Sequence, residues 1–81
     1  MELIEITREE VINNCDKYFK NRQQFFIKTK DEKELRSAYV YQWETYDDKF
    51  EKIERRSCFD FDDVDCYSFE DEDIEHIYII K

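Results

Sequence analysis

The chain has 81 residues and contains neither glycine nor proline. That double absence constrains its backbone more than any motif in it. A phosphate-binding P-loop or a GxGxxG turn needs glycine where the backbone meets the phosphate, so both are excluded. Tight Asn-Gly hairpins are excluded as well. Turns here must be made by Asp, Asn, Ser or Lys.

A chain of this length forms one domain, residues 1–81. A domain so small buries only about 60% of the surface its unfolded form exposes. Seven Phe, six Tyr and one Trp supply the large buried areas that such a core needs. They argue for a folded chain although 43% of residues are charged. Cys15, Cys58 and Cys66 make an odd count with no signal peptide. Reduced thiols in a cytoplasm are therefore expected, not a secreted disulfide scaffold. No apolar run approaches the roughly 20 residues of a membrane-spanning helix.

Net charge is −9 and the sequence pI is about 4.5. The imbalance sits at one end. Residues 57–81 hold nine acids against Lys81 alone, while residues 1–30 are close to neutral. A chain with this balance is not expected to bind nucleic acid or an anionic membrane directly. It is expected to be drawn to basic protein surfaces.

Thr7-Arg8-Glu9-Glu10 reads as a capping box. Val11, Ile12, Cys15, Tyr18 and Phe19 follow at helical spacing and predict an amphipathic helix over 8–20. Gln24 to Thr29 reads as a strand. Residues 35–45 support two readings. Tyr39, Tyr41, Trp43 and Thr45 alternate as a strand does, whereas Leu35, Tyr39, Trp43, Tyr46, Phe50 and Ile53 step at helical spacing. The aromatic and β-branched content favours a hairpin turning at Asp47-Asp48. Phe59 and Phe61 alternate with Asp60 and Asp62. Ile74, His76, Tyr78 and Ile80 oppose Ile77 and Ile79 in a closing strand. The expected fold is α+β, an N-terminal helix packed on an antiparallel sheet. The alternative is a long central helix over 32–56 with a smaller sheet.

The main candidate surface is acidic: Asp60, Asp62, Asp63 and Asp65, then Glu70, Asp71, Glu72, Asp73 and Glu75. Carboxylates at i and i+2 of a strand stand roughly 7 Å apart on one face, the scale of phosphates along a nucleic-acid strand. The competing reading is a solvated face, but such faces usually mix both signs. Tyr41 and Trp43 are the candidate secondary interface, because Tyr and Trp are enriched at binding hot spots.

Chemistry has weaker support. Asp60, Asp62, Asp63 and Asp65 lack the glycine and the distal Glu of a calcium loop. Cys58, Cys66 and His76 match no zinc spacing. One histidine and no oxyanion or cofactor motif give no catalytic set. No catalytic residue, metal or cofactor is assigned.

Small size, acidity, aromatic richness and lack of glycine together resemble small acidic phage-type anti-defence proteins, including anti-CRISPR proteins that mimic nucleic acid. The profile is also similar to immunity proteins that neutralise cationic nuclease toxins. The resemblance implies a non-enzymatic inhibitor of a basic nucleic-acid-processing protein, acting in the host cell cytoplasm if phage-encoded. The other expectation is an accessory subunit that docks through its aromatic surface. Either would act as a monomer, or as a homodimer through an edge strand such as Ile77–Ile80.

Overall fold

The computed structural model describes residues 2–61 and 66–80. In chain order the elements are β1 (Leu3–Ile6), α1 (Arg8–Asn13), α2 (Cys15–Lys20), β2 (Gln24–Thr29), β3 (Arg36–Tyr46), β4 (Lys52–Phe61), β5 (Cys66–Tyr67) and β6 (Ile74–Ile80). The six strands form one sheet in the order β1-β6-β2-β3-β4-β5, and every pairing is antiparallel. Of the described residues, strand makes up 53% and helix 16%, the latter in two short pieces. The chain is therefore mostly antiparallel sheet. This corrects the expectation of a helix packed on a sheet, and equally that of a long central helix.

The expected helix over 8–20 breaks at Asn14, whose φ of −119° and ψ of 17° are not helical. Its side-chain amide donates to the Glu10 carbonyl at 2.8 Å. Asparagine competes for backbone in this way, which is why it suits helix ends. The capping box start does form, with Thr7 Oγ1 accepting from the Glu10 N–H at 3.1 Å. Only Val11 and Tyr18 are buried from the two helices.

β3 and β4 form a long hairpin over residues that the helical spacing also matched. Burial decided between them. Ala38 and Val40 are buried, while Leu35, Tyr39, Tyr46, Phe50 and Ile53 of the helical set are exposed. A long helix would have needed that set as its core stripe.

Two turns place a residue other than glycine in left-handed backbone, Arg22 at φ 51° and Phe50 at φ 62°. Arg22 follows α2. The Gln23 N–H bonds to the Tyr18 carbonyl and the Arg22 N–H to that of Phe19. This is a Schellman motif, built with arginine where glycine is usual.

The core lies on the helix side of the sheet. Tyr18, Phe25, Phe59 and Phe69 meet edge-on in succession, with centroid separations of 5.2, 5.3 and 4.8 Å. Each such pair adds about 1 kcal/mol beyond area burial. Lys28 pairs with His76 but Thr29 pairs with Ile74, so β6 bulges at Glu75. The extra residue turns Ile74 inward beside Ile77, both buried. Ile74 thus leaves the face of His76, on which strict alternation had placed it. β6 also lies between β1 and β2, so Ile77–Ile80 is not an edge and offers no edge for a homodimer.

Candidate protein-interaction surface

The acidic turn Glu70–Asp73 hangs between two core residues, Phe69 and Ile74, which are 7% and 3% exposed. Its backbone is closed by bonds from the Asp71 N–H to the Ser68 carbonyl at 3.0 Å and from the Ile74 N–H to the Asp71 carbonyl at 3.2 Å. Asp71 Oδ1 accepts from the Asp73 N–H at 2.9 Å, and Ser68 Oγ from that of Glu70 at 3.3 Å. The Lys30 N–H reaches the Asp73 carbonyl at 2.8 Å. Arg8 ties both ends together. Its Nη1 donates to the Phe69 carbonyl at 2.9 Å and its Nη2 to the Ile74 carbonyl. The planar guanidinium fork spans two acceptors in this way, which an ammonium does less well. Among the described residues, no side-chain cation pairs with Glu70, Asp71, Glu72 or Asp73.

The other expected acids divide. Glu75 sits at the bulge and pairs with Lys28 at 3.1 Å, so part of its charge is neutralised at home. Asp60 stands on the sheet face away from the helices, opposite Tyr39 in the β3–β4 register. Asp62, Asp63 and Asp65 lie outside the described residues.

That second face carries aromatic rings. Tyr41 and Trp43 stack with centroids 5.8 Å apart, and Phe19 meets Tyr41 edge-on at 6.4 Å. Tyr39 and Tyr41 are 37% and 47% exposed. They line a shallow cleft with Asp60, Phe19 and Arg22. The two residues named as a secondary interface are therefore brought together, with Asp60 on the same face.

A different acidic group does structural work. Glu44 accepts from the Tyr46 hydroxyl at 2.7 Å and faces Lys52 at 3.1 Å and Arg55 at 3.2 Å. The Tyr46 hydrogen bond, then those of Lys52 and Arg55, hold its carboxyl down at about 2. Arg55 also reaches Asp16 at 3.4 Å, and Gln42 donates to Asp16 at 2.7 Å. Mainly that amide bond lowers the Asp16 pKa. The network fastens α2 to the β3–β4 hairpin.

His76 Nδ1 lies 2.7 Å from Glu5 Oε2 on the solvent side. In the sheet, β2 and β3 separate its strand from β4 and β5, which carry Cys58 and Cys66. The three do not converge into one site.

Two features escaped the sequence reading. At the hairpin tip, Phe50 is 87% and Ile53 63% exposed. Asp47 Oδ1 builds the tip by accepting from the Lys49 and Glu51 N–H groups at 2.9 and 2.8 Å. The available signal was an apolar residue just past the Asp-Asp-Lys turn. The other is a close pair, with Cys58 Sγ 2.9 Å from Cys66 Sγ.

No known family model, curated protein or solved structure matches the chain. Among the described residues, no helix is long and apolar enough to cross a membrane.

Proposed function

We propose that this chain is a non-catalytic binding protein that occupies a basic, nucleic-acid-binding surface on another protein and blocks it. The observation that carries the reading is the Arg8-tethered turn. It holds Glu70, Glu72 and Asp73 outward on fixed backbone, with no cation of the described chain paired to them. Fixed, unpaired charge of one sign steers a partner of opposite sign and costs little ordering on binding. The stacked Tyr41–Trp43 pair beside Asp60 offers apolar contact once charge has brought the partner in.

The reading is tested by immobilising the chain and passing a bacterial lysate over it. Basic nucleic-acid-binding proteins should be retained at low salt and displaced by added DNA or RNA. Retention that neither salt nor nucleic acid alters would overturn it. An accessory subunit docked only through the aromatic face would behave in that second way.

A further inference from the structure

The two sulfurs that approach each other across β4 and β5 are eight residues apart in sequence. Asp60 of β4 pairs with Cys66 of β5. Cys58 is two residues from Asp60, so both thiols are on one sheet face as diagonal neighbours. Their Sγ atoms are 2.9 Å apart and unbonded. A disulfide needs about 2.05 Å, so a movement of less than about 1 Å would join them. A groove beside the pair is lined by Trp43 and Arg56 and opens Cys66 to solvent.

We infer that Cys58 and Cys66 form an oxidisable dithiol that closes to a β4–β5 disulfide on meeting a small-molecule disulfide such as oxidised glutathione. This does not depend on what the acidic turn binds.

Cys66 is exposed and Cys58 buried, so Cys66 reacts first. The Cys66 thiol loses its proton to water and its sulfur attacks one glutathione sulfur. The glutathione S–S bond breaks, and one glutathione leaves as a thiolate that takes up a proton. Cys58 then loses its proton and attacks Cys66 Sγ, expelling the second glutathione thiolate, which is also protonated. Two protein thiols are oxidised, and one glutathione disulfide is reduced to two thiols. Burial first, then the bond to Cys66, pushes the Cys58 thiol up to about 12. The burial remains once Cys66 carries glutathione, so ring closure quickens as pH rises. Cys15 cannot substitute, because it contacts Gln42 and Ser57, which face the helix side of the sheet.

The test treats the full folded chain with oxidised glutathione and follows it by intact mass, peptide mapping and thiol titration. The expected result is a loss of two hydrogens, a Cys58–Cys66 linked peptide and Cys15 as the remaining titratable thiol. Fluorescence of Trp43, the sole tryptophan, should fall and recover with a reductant. Cys58→Ser should trap a stable glutathione adduct on Cys66, which also guards against misreading a variant that folds poorly. A lasting adduct on Cys66 of the natural chain, three titratable thiols after treatment, or a link through Cys15 would each overturn the inference.

Discussion

The Arg8 guanidinium bonds to the Phe69 carbonyl at 2.9 Å, joining residues 61 positions apart. With its second bond, to the Ile74 carbonyl, it turns a run of acids into a fixed structure. Without that fork, repulsion among Glu70, Asp71, Glu72 and Asp73 would favour an open loop.

Arg8→Ala should therefore cost more than a surface arginine does. Two charge-assisted bonds to partly buried carbonyls are lost, for about 2 kcal/mol in all. For a domain of this size that lowers the melting temperature by about 10 °C. Arg8→Lys keeps the charge but not the fork and should fall between. Thermal unfolding followed by circular dichroism reads this. A change of under about 0.5 kcal/mol, typical of an unengaged surface site, would show that the fork does not hold the turn.

Arg22 occupies a backbone position that favours glycine. Arg22→Gly keeps the two Schellman bonds, which come from backbone groups. It removes a left-handed penalty of roughly 1 kcal/mol, partly offset by the greater freedom glycine gives the unfolded chain. A rise of a few degrees in melting temperature is expected; a fall would mean that the Arg22 side chain contributes more than its backbone costs.

Glu44 couples stability to acid. Its folded pKa is depressed to about 2 from a usual 4.5, chiefly by the Tyr46 hydroxyl. The unfolded chain therefore binds the proton first as pH drops. The contribution is fully present above about pH 5 and is lost as pH falls from there through about 2. Urea midpoints measured between pH 6 and 2.5 should decline. Glu44→Gln should flatten part of that slope, and an identical slope in the variant would dismiss the network as a source of acid sensitivity.

Much of the sheet was legible from residue type and alternation. Phe59 and Phe61 face the core with Asp60 turned away, and Phe25 and Ile27 are buried on β2. The helix break was not legible, because Val11, Cys15 and Tyr18 keep helical spacing straight through Asn14. Strand order was not legible either. The insertion of β6 between β1 and β2 depends on contacts distant in sequence, which local patterns do not encode. The acidic turn was visible as charge between two apolar residues. Its Arg8 tether was not, since nothing near position 8 points to position 69. Glu75 looked like part of the acidic set until the bulge placed it beside Lys28.

Charge reversal on the tethered acidic turn separates steering by its carboxylates from docking through any other surface. The natural chain and a variant carrying Glu70→Lys, Glu72→Lys and Asp73→Lys are immobilised at equal density. Asp71 is kept because its carboxylate closes the turn, and circular dichroism checks that both are folded. Retention of basic nucleic-acid-binding proteins from one lysate is then measured across a salt series. The expected result is strong low-salt retention by the natural chain, falling steeply with salt, and little or none by the variant. Equal retention by both chains, with the same salt dependence, would contradict the account.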